Sequence, residues 1–191
     1  KFDKVFSNIK NFINIKKNHP NNERILTRVS GVYLEQAHKD NGFKEFWLDY
    51  VDEVGIAADY SDSILVDVLG FLPVNHDDNQ VYDIYIEDMG QGYYGVNYLD
   101  TDILGNHTGS SYIVIDNEYE EGEYYTIGID GMKTTVVHEY FHAIQRSYRL
   151  QFNASTKFLY EMSSTWIEDI VYPNIDDYIN DGWTLSFFNN P

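Results

Sequence analysis

His138, Glu139 and His142 stand in the run Val136-Val137-His138-Glu139-Tyr140-Phe141-His142-Ala143-Ile144-Gln145. On a helix, residues four apart project from one face about 6 Å apart along the axis, so both imidazoles can reach a single ion. Glu139, beside the first histidine, then points to where a metal-bound water would sit. That is the donor set of a hydrolytic zinc site, which takes three protein ligands and keeps a position for water. A third ligand is sought downstream, where Glu161, Glu168 and Asp169 follow on one predicted helix. Eighteen residues separate His142 from Glu161, enough for the motif helix to end, turn and send a second helix back past the metal. Glu168 lies two turns further on, on nearly the same face. Glu161 is the expected ligand; Glu168 is the alternative, or a partner that hydrogen-bonds a ligand histidine.

The elements that must position these groups are read from hydrophobic period. Val136, Val137, Tyr140, Phe141 and Ile144 surround the motif with apolar bulk, as expected of a buried helix running from a capping region at Asp130-Gly131 to about Leu150. Ser155 is the expected cap of the next helix, Thr156 to Tyr172, stopped by Pro173. Upstream, Val81 to Glu87 and Ser111 to Asp116 alternate in the manner of strands. Between them Gly90, Gly92, Gly95 and Gly105 mark a loop-rich link, and Gly90 to Gly95 is a turn rather than a phosphate cradle. Helical stripes occupy residues 2 to 15 and Phe43 to Val54, while Ser61 to Leu72 could end a helix or form a strand. The order favours an α+β single domain: a mainly helical part over 1–72, then a sheet and the site helices over 80–191. His19, His38, His76 and His107 lie in polar contexts and read as surface histidines.

Composition narrows the partners. A net charge of −18 argues against nucleic acid and anionic membrane, and no apolar run is long enough to be inserted in a bilayer. With no cysteine, any metal is held by His, Asp and Glu. The acidic run Glu118 to Glu123 carries oxygen ligands that would suit calcium, without a calcium-loop signature; a solvated loop is the simpler reading. The chain opens at Lys1 without Met or a signal pattern, as a mature or trimmed protein would.

His138-Glu139-Tyr140-Phe141-His142 followed by Glu161 resembles the gluzincin branch of zinc metallopeptidases. The eighteen-residue gap is that of its aminopeptidase-type members. More narrowly, the run Thr135 to Gln145, with Glu161, Thr165-Trp166-Ile167-Glu168-Asp169 and Tyr172-Pro173, resembles a family of mostly uncharacterised secreted bacterial metalloprotease-like proteins. The strands Tyr82 to Ile86 and Tyr112 to Asp116 fit as well, so the likeness covers about residues 80 to 180. It implies a zincin-like fold with a mixed, twisted sheet, an extracellular location and a peptide or protein substrate. It also implies an edge strand that binds extended substrate above the zinc, for which Ser111 to Asp116 is nominated. Two departures stand out. Thermolysin-like members carry an acidic residue four after the glutamate ligand to orient a histidine, and Thr165 occupies that position. Gluzincin cores also continue well past the third ligand, so the catalytic domain is expected to extend beyond Pro191.

The expected activity is metalloendopeptidase hydrolysis, with Zn²⁺ on His138, His142 and Glu161 and with Glu139 as general base on the metal-bound water. Tyr160, Tyr172 and Tyr178 are candidate oxyanion donors. The rival reading is a non-catalytic zinc-containing binding module, against which the carboxylate of Glu139 argues, since a structural site has no use for it.

Overall fold

Tyr82, Ile84 and Ile86 point inward from β2 (Tyr82–Glu87) while Asp83, Tyr85 and Glu87 do not, so the alternation in the sequence becomes one buried face. The structure is a computed structural model and describes residues 27–31, 41–76, 81–90, 92–103, 108–149 and 155–177. In chain order these form β1 (Thr27–Gly31), α1 (Asn41–Asp62), a π-helical segment (Ser63–Val68), β2, β3 (Gly95–Ile103), β4 (Thr108–Asp116), α2 (Gly128–Tyr148) and α3 (Lys157–Val171). The sheet runs β1-β2-β4-β3; β1, β2 and β4 are parallel, and β3 lies antiparallel to β4. The described residues are therefore α+β with a mixed sheet.

Burial on two faces explains the composition of β4. Ile113, Val114 and Ile115 are all buried, because β4 sits between β2 and β3 and beneath α2. The core joins Ile84, Ile86, Ile113 and Ile115 to Val136, Tyr140 and Ile144 of α2, with Tyr50 and Val54 of α1 closing one side. Tyr82 meets Tyr140 edge to face at 5.3 Å. The Tyr140 hydroxyl donates to Asp62 Oδ1 at 2.9 Å, tying α2 to the residue where α1 gives way to the π-helical segment. That segment settles the ambiguous stretch after Ser61: Leu69 N–H donates to the Ile64 carbonyl at 2.9 Å, the wide i→i−5 bond.

Several expectations need correction. The loop-rich link is in part a strand, since β3 occupies Gly95–Ile103. It lacks an apolar alternation because the side chain it is seen to bury is the polar Asn97, and a bulge at Asp100 interrupts its pairing with β4. Ser111 to Asp116 is no edge: β4 is interior, and among the described residues β3 is the antiparallel edge. The motif helix starts at Gly128 rather than at an Asp130-Gly131 cap. Ile127 occupies the cap without a side-chain bond, Gly128 takes a left-handed φ of 62°, and Asp130 lies in the first turn, where its charge suits the helix dipole. α3 is capped by Thr156, not Ser155. The expected N-terminal region also supplies a strand, β1, beside β2. The helix expected over residues 2 to 15 lies outside the described residues. No helix among the described residues is long and apolar enough to cross a membrane.

Candidate metal centre

Three faces of α2 do three jobs. Val136, Tyr140 and Ile144 enter the core; Thr135, Glu139 and Arg146 turn toward β3; His138, His142 and Gln145 turn toward α3. The helical period places the second and third sets four or seven residues apart, one above the other. Facing the histidines, α3 presents Glu161, Ser164 and Glu168 on a stripe of the same period.

His138 Nε2 and His142 Nε2 each lie 3.4 Å from the same oxygen, Glu161 Oε2. For N–H···O hydrogen bonds that is long, the usual distance being about 2.9–3.0 Å. For a tetrahedral ion with bonds of about 2.0–2.1 Å it is the expected spacing between ligand atoms, about 3.3–3.4 Å. The three ligand atoms lie within 4.8 Å of one another, and among the described residues no other group of three His, Asp or Glu ligands converges in this way. The group could hold a metal ion. The acidic run Glu118 to Glu123, considered for calcium, forms no such group.

The other ring nitrogens are tied back. His138 Nδ1 lies 2.5 Å from Glu168 Oε1, and His142 Nδ1 lies 2.7 Å from Gln145 Oε1 and 3.2 Å from Ser164 Oγ. An acceptor at Nδ1 fixes a proton there, so Nε2, on the Glu161 side, is the nitrogen that could bind an ion. Gln145 is held in turn, donating from Nε2 to Ser163 Oγ at 3.0 Å and to the Tyr160 carbonyl at 3.2 Å. Glu168, three residues beyond Thr165 on α3, is the carboxylate that meets His138 Nδ1, while Glu161 faces both Nε2 atoms.

Electrostatics agree with this division. Burial disfavours a charged His138 ring, but hydrogen bonds to Glu161 and Glu168 outweigh it and push the ring up to about 10. Hydrogen bonds to both histidines hold the Glu161 carboxyl far below the usual range. Glu168 is raised by burial despite its bond to His138. A carboxylate that stays ionised between two imidazoles is suited to a cation.

Glu139 is buried, 8% exposed, and burial raises its carboxyl against the opposing pull of His138 and His142. It faces β3, where Gly95 permits the close approach: a Cβ there would sit 2.6 Å from Thr135 Cγ2 and 3.2 Å from Glu139 Cγ. Thr135 is stiff on its helix and donates to the Gly131 carbonyl at 2.8 Å, so it cannot easily give way. Gly95→Ala is expected to cost about 1–3 kcal/mol, read as a lower melting temperature.

The candidate oxyanion donors divide. Tyr160 precedes Glu161 and its carbonyl accepts from Gln145. Tyr172 packs against Tyr60 at 5.5 Å, joining the end of α3 to α1. Tyr178 lies outside the described residues, as do His19, His38 and His107; His76 is half-buried. Reading the sequence missed Gln145, although its position three after His142 on the same helix face is a usable signal. No protein-family model, curated protein or solved structure matches the chain.

Proposed function

We propose that the chain is a zinc-dependent peptidase of the endopeptidase type, extracellular as its resemblance to secreted metalloprotease-like proteins suggests. The observation that carries this is the convergence of His138 Nε2 and His142 Nε2 on one Glu161 oxygen, with both Nδ1 atoms held from behind. Two imidazoles and a carboxylate with no thiolate suit zinc and leave a fourth position for water. When bound, zinc would polarise a peptide carbonyl and bring the pKa of water down toward ~7.

The chain's own residues do the rest. Glu139 takes a proton from the attacking water and delivers it to the leaving amine, and its raised carboxyl is suited to both halves of that exchange. Glu168 and Gln145 keep the imidazoles in the tautomer that binds. β3, the edge strand that passes over Glu139, would receive an extended substrate by backbone pairing; among the described residues β3 pairs with β4 alone. A structural zinc site would have no use for a buried carboxylate in the position of Glu139, which favours catalysis over a binding module.

The test is metal analysis with a general protease assay. The chain should hold one zinc, and hydrolysis of a casein-type substrate should stop with a chelator and return with zinc. Hydrolysis that a chelator leaves untouched would contradict the proposal, as would a chain that takes up no stoichiometric metal.

A further inference from the structure

Behind Glu139 lies a buried polar junction centred on Asn97 of β3, which is 8% exposed. Its side-chain nitrogen donates to Tyr82 Oη at 3.0 Å, to Ser111 Oγ at 3.1 Å and to the Glu139 carbonyl at 3.3 Å. Its side-chain oxygen accepts from Arg146 Nε at 2.6 Å, and its backbone carbonyl accepts from Arg146 Nη2 at 3.2 Å. The Asn97 backbone also favours the ionised Glu139 carboxyl, against the larger effect of burial. Residue 97 therefore commits its carbonyl and its side chain to the motif helix. In an antiparallel pair, every second residue turns its backbone groups away from the partner strand, and such groups on an edge are ordinarily open.

Arg146 suits this task. Its planar fork grips two oxygens of one residue at once, which a lysine cannot do. Burial lowers its pKa, and the Glu139 charge works against that fall, so the cation shares a partly dry region with the carboxylate. Arg146 lies seven residues after Glu139, two turns along the same face of α2.

We infer that Arg146 is a positioning residue: gripping Asn97, it latches edge strand β3 to α2 and so fixes the strand that lies against Glu139. This rests on the proposed peptidase reading for its catalytic half, while the latch itself is independent of any reaction. A consequence is that Asn97 is an anchor and not a docking point, so an incoming strand pairs with β3 on either side of it.

The experiment uses the zinc-loaded chain and its Arg146→Ala variant, with Leu65→Ala as a control whose cavity lies in the core beneath the π-helical segment. Hydrogen exchange should show protection lost over Gly95 to Asp100 in Arg146→Ala, with β2 still protected, whereas Leu65→Ala should loosen the fold without singling out β3. In the protease assay kcat should fall about tenfold to a hundredfold in Arg146→Ala, with KM changed by less than about threefold and zinc retained. Guanidinium at a non-denaturing concentration should restore part of kcat to Arg146→Ala and none to Leu65→Ala. Unchanged exchange over β3 would overturn the latch. Lost protection with unchanged kcat, or a kcat loss matched by Leu65→Ala, would overturn the positioning role. If the unaltered chain hydrolyses nothing, the peptidase reading fails, and the exchange result alone decides the latch.

Discussion

Glu139→Gln is expected to leave zinc in place and to lower peptide hydrolysis about 10²–10⁴-fold, the range attributed to a positioned general base. The substitution preserves shape, and the bond from the Asn97 side chain to the backbone carbonyl of residue 139 is left intact. The three residues that could hold the metal are untouched, so metal content should match that of the unaltered chain. Stability should hold or rise slightly. Burial raises the Glu139 carboxyl in the folded chain, so at neutral pH the ionised group costs folding energy that a neutral amide does not. An inactive protein with full zinc and an undiminished melting temperature would separate loss of chemistry from loss of fold. Full activity in this variant would remove Glu139 from the mechanism.

The second large effect distinguishes the two glutamates of α3. Glu161→Ala removes the oxygen shared by both Nε2 atoms and is expected to weaken zinc binding by more than about 100-fold, beyond what loss of an outer partner costs, with hydrolysis lost in step. Glu168→Ala leaves all three ligands but frees His138 Nδ1, so zinc binding should weaken about 10–100-fold and return at higher zinc. Equilibrium zinc titration of the two variants would read this difference. A reversed order, with Glu168→Ala the more damaging, would make Glu168 the ligand. His142 offers an internal comparison, because Gln145 and Ser164 both lie within reach of its Nδ1, and loss of either should be milder than loss of Glu168.

How much of this could be read before the fold was known depends on the range of each interaction. The histidine pair was legible because one helix sets its geometry, and four residues of spacing leave little freedom. Glu161 and Glu168 were legible as a shared face, with Glu161 preferred for its gap from His142; that Glu168 meets His138 Nδ1 needed the packing of α3 on α2. β2 and β4 were legible from their β-branched and aromatic alternation, whereas β3 was not. Asn97 and Asp100 interrupt any apolar face, and Asn97 is satisfied by Arg146, 49 residues away. The same blindness put the edge in the wrong strand: β4 has the sequence of a good strand because it is buried between two others, and the exposed edge is the polar one. Helix ends fared as boundaries usually do, missing by a residue or two where α2 and α3 start at Gly128 and Lys157 without a side-chain cap bond.

The most direct test is a crystal structure of the chain grown with zinc, with data collected at the zinc absorption edge. One anomalous peak is expected within about 2.2 Å of His138 Nε2, His142 Nε2 and a Glu161 oxygen, with Glu168 still on His138 Nδ1. A peak completed by Glu168 instead, or crystals that bind zinc elsewhere and leave these three residues unliganded, would contradict the account.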